Sequence, residues 1–121
     1  MHLKSILLSG LAVLTSSVIA DHLVTVEGCD ADLFRMCGYH YAHWHIGYSV
    51  YEIDAEEGCR DPSVPGMTWI CVDYGNERGE FKYEGGPKRC FTRTSTTRIT
   101  DDSCWAIECW RKVWEEAPCT W

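Results

Sequence analysis

Apolar and polar positions divide the chain into one unbroken run and a series of short alternating stretches. The run, residues 6–19, holds only apolar or small side chains, follows Lys4, and leads into Val18 and Ala20 at the −3 and −1 positions of a cleavage site. That is the layout of a secretory leader. The run falls short of the roughly 20 apolar residues that a membrane span needs. A leader over 1–20 and a single exported domain over 21–121 are expected.

Beyond the leader the pattern is mostly that of strands. Residues 23–27 carry β-branched side chains and predict a short strand. Asp30 caps an expected short helix through Met36, stopped by Gly38. Residues 39–46 and 48–53 read as strands around a bend at Gly47, and 54–59 as an acidic turn. Residues 67–74, with Trp69, Ile70, Cys71 and Val72 as a buried run, pair with 80–84 as a hairpin through Gly75-Asn76 and Gly79. Residues 90–100 are rich in Thr and predict another strand. The last segment fits two periods. Asp101-Asp102-Ser103 caps a helix on which Ala106, Trp110, Val113 and Ala117 share a stripe, whereas Trp105, Ile107 and Cys109 alternate as in a strand. The helix is preferred, because acids precede it and Arg111 and Lys112 suit its dipole. The expected fold is α+β: a small disulfide-stapled antiparallel sheet of four to five strands with one or two short helices.

Composition sharpens this picture. The chain has 121 residues, 18 acids against 11 bases and a formal net charge of −7. Such a balance argues against a general nucleic-acid partner, since phosphate contacts need surplus Lys and Arg. All 8 cysteines, Cys29, Cys37, Cys59, Cys71, Cys90, Cys104, Cys109 and Cys119, lie beyond the leader. An even count in a short exported chain predicts four disulfides, with connectivity that sequence alone does not choose. Structural zinc favours closer spacing than that of Cys104 and Cys109, the nearest pair.

The densest chemistry lies in 39–45. Strand alternation puts Tyr39, Tyr41, His43 and His45 on one face and His40, Ala42, Trp44 and Ile46 on the other. His43 and His45 are weak metal candidates, with His22 or a carboxylate from 52–57 as a third ligand. Two histidines do not close a site, so no metal or cofactor is expected. Cleavage after Ala20 makes His22 the second residue. Loss of Asp21 as well would place it first, where amine and ring could hold copper with another histidine, though nothing in the sequence demands that cut. There is no G-x-S-x-G elbow, and no histidine after His45 to complete a ribonuclease-like acid–base pair.

Lys88, Arg89, Arg93 and Arg98 form a local basic stretch without an acid, a possible contact for an anionic partner or the protected edge of a sheet. Alternation places Arg89 and Arg93 on one face, Lys88 and Arg98 on the other. Lys88-Arg89 is also a dibasic pair of the kind cut in the secretory pathway. The 6 Trp, 6 Tyr and 3 Phe exceed what a small core needs. Trp121 is a candidate for exposure and for stacking on a sugar ring.

The leader, the size and the eight spread cysteines together resemble the small cysteine-rich secreted effectors of plant-associated fungi, a class defined by outline rather than by motif. Venom peptides and fungal killer toxins share that outline. The resemblance covers the whole chain. It implies release into the host apoplast or interface, no catalytic residues, and action by binding a host protein or glycan, of which the protein is the leading expectation. A module that binds cell-wall glycans is the alternative expectation, and a small secreted enzyme a distant third.

Overall fold

A computed structural model describes residues 20–30, 36–99 and 108–121. Eight strands form one antiparallel sheet: β1 His22–Cys29, β2 Cys37–Ile46, β3 Ser49–Ile53, β4 Gly58–Arg60, β5 Met67–Asp73, β6 Arg78–Tyr83, β7 Lys88–Ile99 and β8 Glu108–Ala117. Their order is β3-β2-β1-β8-β7-β6-β5-β4. The described residues contain no helix, so the α+β expectation is overturned in favour of an all-β half-barrel. The expected helix from Asp30 falls largely on 31–35, outside the described residues.

The C-terminal helix is corrected to a strand over Glu108–Ala117. β8 sits at the middle of the sheet, paired with β1 over residues 108–115 and with β7 on its other side. Its helix-forming charges are spent across strands. Lys112 reaches Glu27 of β1 at 3.2 Å, and Glu116 meets Arg89 of β7 at 2.6 Å. Trp114, which the helical stripe omits, is fully buried. Tertiary pairing on both sides outweighs local helix propensity here. The expected acidic turn at 54–59 also contains a strand, since β4 begins at Gly58.

Topology forces the sheet to curl. A flat eight-stranded sheet would separate β3 from β4 by about 34 Å, at ~4.8 Å per neighbour. Yet these outermost strands are consecutive in sequence and joined only by 54–57. That segment can span about 17 Å when fully extended. The core records the closure. Trp44 of β2 and Phe81 of β6 meet edge to face with 4.8 Å between centroids, although β1, β8 and β7 lie between their strands. Trp44 Nε1 also donates to Tyr83 Oη at 3.0 Å. Ala55, in the connecting segment, is buried. Its N–H donates to Tyr39 Oη at 3.1 Å, and its carbonyl accepts from Tyr74 Oη at 2.7 Å. Burial pushes both tyrosine hydroxyls above their ordinary pKa, so they remain protonated donors.

Three bulges among the described residues assist the bending. The ladders skip His40 in β2, Thr68 in β5 and Thr94 in β7. An extra residue on one strand bends it and switches the faces of the residues beyond. The core holds Leu23, Ala42, Trp44, Ile70, Phe81, Phe91 and Trp114. A smaller apolar patch, Val26 and Cys109 with Tyr41 and Ile99, closes the opposite face. Trp69, expected in the buried run, is only half-buried, because β5 turns Met67, Ile70 and Val72 inward instead.

Three disulfides join described residues: Cys29–Cys37, Cys59–Cys71 and Cys90–Cys119. The first two link directly opposed residues of neighbouring strands. Cys109 is disulfide-bonded as well. Cys104 lies outside the described residues.

Candidate functional site

The sheet register places the histidines on the convex face. One row across β8, β1, β2 and β3 reads Glu115, His22, His45, Val50, and the next but one reads Val113, Val24, His43, Glu52. The rings of His22 and His45 stack, with centroids 4.4 Å apart and planes 12° from parallel. His22 Nδ1 lies 3.1 Å from the carbonyl oxygen of Ala20. Burial, with His22 and His43 nearby, holds His45 below the ordinary imidazole pKa, which favours the neutral ring. Tyr41 packs edge-on against His43 at 5.4 Å. The expected grouping of Tyr39 with Tyr41, His43 and His45 is corrected by the bulge at His40. Tyr39 packs against the main core, while Tyr41 packs against the opposite patch. Among the described residues no group of three or more His, Cys, Asp or Glu side chains is placed to hold a metal ion. Of the two weak metal candidates, His45 has a histidine against it and His43 has a tyrosine.

The basic stretch lies on β7, which is an internal strand and not a protected edge. Each of its four bases has an acid. Lys88 meets Glu80 at 3.3 Å, Arg89 meets Glu116 at 2.6 Å, Arg93 meets Glu77 at 2.5 Å, and Arg98 meets Glu108 at 4.0 Å. The bulge at Thr94 also changes the expected faces. Arg93 is opposite Trp114 and Arg98 is opposite Trp110, four residues along the same strand, so these two arginines share a face. Arg89 lies 4.9 Å over the Phe81 ring, and its bond to Glu116 raises its pKa further.

Trp121 is half-buried, not freely exposed. The Arg78 guanidinium lies 5.0 Å over its ring, and Lys88 Nζ donates to its main-chain oxygen at 2.6 Å. Beside it a cavity of about 310 Å³ is lined by the Cys59–Cys71 disulfide, Glu57, Asp73 and Glu80. Asp73 is held below the ordinary carboxylate pKa by hydrogen bonds from Asn76.

The exposed apolar side chains of the β2–β3 hairpin escaped sequence reasoning. Tyr48 at its tip is 95% exposed and Val50 is 54% exposed. Tyr48 adjoins and Val50 lies in β3, which among the described residues pairs only with β2 and leaves its other edge open. The signal was present, since two large apolar side chains stand in a strand beside the Gly47 turn. Burial, however, is decided by the sheet and not by the hairpin. A second feature also escaped. Tyr83 Oη donates to Asp21 Oδ2 at 2.7 Å and so ties the start of β1 to β6.

Comparison with family models, with characterised proteins and with solved structures finds no match for this chain, so its functional reading rests on its own residues. No helix of the described residues is long and apolar enough to cross a membrane.

Proposed function

We propose that this is an exported, non-enzymatic effector or toxin-like protein that acts outside the producing cell by binding a host protein. One observation carries the choice of surface: Tyr48 and Val50 stand exposed beside the open edge of β3. An exposed tyrosine is a common interface anchor, and an open edge offers main-chain hydrogen bonds to an extended partner segment. The leader pattern and the disulfides support export, because such cross-links persist in oxidising compartments.

The test applies purified protein beginning at Asp21 to candidate host tissue, alongside a Tyr48→Ala, Val50→Lys variant. Binding predicts a response that saturates with dose and does not grow with incubation time. The double variant should keep its thermal midpoint and lose the response. A fully active double variant would refute the hairpin as the contact. The second reading, a glycan module, draws on the Trp121 ring and the carboxylates around its cavity. Retention on insoluble chitin, cellulose or glucan, lost on Trp121→Ala, would favour it instead.

A further inference from the structure

The open edge of β3 carries a charge, and that charge selects what can pair with it. Gly47 and Tyr48 form a two-residue turn, with a φ of 55° at Gly47 and with Ile46 opposite Ser49. Such a turn closes on a hydrogen-bonded pair, and bonded and non-bonded pairs then alternate along the ladder. Ser49, Tyr51 and Ile53 therefore spend their main-chain groups on β2, whereas Val50 and Glu52 turn theirs to the open side. Among the described residues no main-chain bond from outside β2 reaches them. The same two residues carry exposed side chains on the convex face, opposite His45 and His43. An arriving strand thus meets free main-chain groups, the Tyr48 and Val50 side chains, and a carboxylate.

The acids continue past the strand. A cavity of about 500 Å³ at the exit of β3 is lined by Glu52, Asp54, Glu56 and Asp61, with His40 beside them. Arg60 answers Asp54 at 2.8 Å, while Glu52 and Glu56 make no ion pair with a described residue. From Cys37 through Glu57 the sequence holds Glu52, Asp54, Glu56 and Glu57 and no Lys or Arg. We propose that the β3 edge receives an extended basic segment of the partner protein. An apolar side chain of that segment lies beside Val50, a Lys or Arg two residues along lies beside Glu52, and a second base two residues further reaches the cavity. The proposal names the chemistry of the partner and rests on the proposed host-binding role of the hairpin.

Alternation sets the spacing, because side chains two apart on a strand share a face. Opposite charges paired across strands attract, and like charges repel. A second copy of the chain does not fit. It brings the same acids and no base to the edge, on a molecule of net charge −7. The acids thus guard the edge against self-pairing, as charges on edge strands commonly do. A guard alone would not leave Tyr48 and Val50 bare along the same edge. Acids beside apolar side chains instead reject like-charged strands and admit a partner of opposite sign.

The test titrates the isotope-labelled exported protein with synthetic peptides, read by nuclear magnetic resonance. Two peptides carry Val, Lys and Lys at alternate positions with Thr between, one in each chain direction, and a third has Glu in place of Lys. A basic peptide should shift the Val50 and Glu52 amides and slow their hydrogen exchange, and the acidic peptide should do neither. Glu52→Gln with Glu56→Gln should keep the thermal midpoint and weaken binding about fivefold, the worth of two exposed ion pairs. Added salt should weaken it further. Acidic and basic peptides that bind alike would overturn the proposal, as would no shift with either basic peptide at millimolar concentration or unchanged affinity in the Gln variant. A concentration-dependent dimer whose contact maps to β3 would also overturn it and assign the edge to a second copy. The host-tissue response separates this proposal from the function beneath it. Full response in the Gln variant, beside an inactive Tyr48→Ala, Val50→Lys variant, would keep the hairpin as the contact and remove the basic partner. Full response in both would sink the hairpin reading, and the peptide titration would still decide the edge.

Discussion

Replacing Gly79 with alanine tests the closure of the sheet most directly. Gly79 lies in β6 opposite Phe91 of β7 and Val72 of β5. A Cβ there would come within 2.3 Å of Phe91 Cζ and 2.4 Å of the Cys71 carbonyl oxygen. Neither neighbour can yield easily. Phe91 is buried among Phe81, Trp44 and Trp114, with centroids about 6 Å away on each side. The Cys71 oxygen belongs to a strand that its disulfide fastens to Cys59. The backbone at Gly79 is ordinary strand, so the cost is steric and not conformational. Overpacking a well-filled core costs about 1–3 kcal/mol, occasionally more, and two immovable neighbours place this substitution at about 3 kcal/mol. That is a large share of the roughly 5–15 kcal/mol that holds a domain of this size. Urea unfolding followed by tryptophan fluorescence should show the loss as a lower midpoint with an unchanged slope. Gly38→Ala is the control, because a Cβ there meets nothing within 4 Å. A Gly79→Ala penalty no greater than that of Gly38→Ala would refute the packing argument.

Three further outcomes are expected. Cys90–Cys119 spans 29 residues and Cys29–Cys37 spans 8; loop entropy then makes the first worth about 3.6 kcal/mol and the second about 2.5, so paired Cys→Ser variants should rank in that order in urea, and the reverse order would contradict the loop account. The Arg89 hydrogen bond holds Glu116 below the ordinary glutamate pKa; its stabilisation is complete above pH about 4.5 and fades as pH falls through the depressed value, so Glu116→Gln should flatten the acid limb of a thermal-midpoint profile, and a profile identical to that of the parent would count against the pair. Because each base of the β7 stretch faces an acid, the protein should pass through a heparin column at low salt, and firm retention would restore that stretch as an anion site.

Much of the strand content was legible in the sequence, and its assembly was not. β1, β2, β3, β5, β6 and β7 all fall where alternation and turn residues place strands. β8 does not, because its stripe of Trp110, Val113 and Ala117 fits a helix while its burial pattern fits a central strand. A one-dimensional pattern weighs local propensity, and β8 is held by partners far away in sequence. Trp114 Nε1, for example, donates to the buried Thr25 hydroxyl at 2.9 Å. β4 is three residues long and gains its place from opposition to β5, with Cys59 facing Cys71. No period can be read from so short a strand.

The candidate site was legible as a set of residues and not as a geometry, and the bulges explain the difference. Strict alternation groups Tyr39 with His43 and His45. One skipped residue at His40 sends Tyr39 into the core, where it holds Ala55. The same displacement at Thr94 sets Arg98 on the face of Arg93. A bulge leaves no mark in hydrophobic periodicity beyond a shift of one position, which a polar residue such as His40 or Thr94 absorbs silently. His22 and His45 escape the difficulty, because both lie on the regular side of the bulge and face each other across an unbroken ladder. Their closeness depends on β1 pairing with β2, an antiparallel contact closed by the Cys29–Cys37 disulfide at its far end.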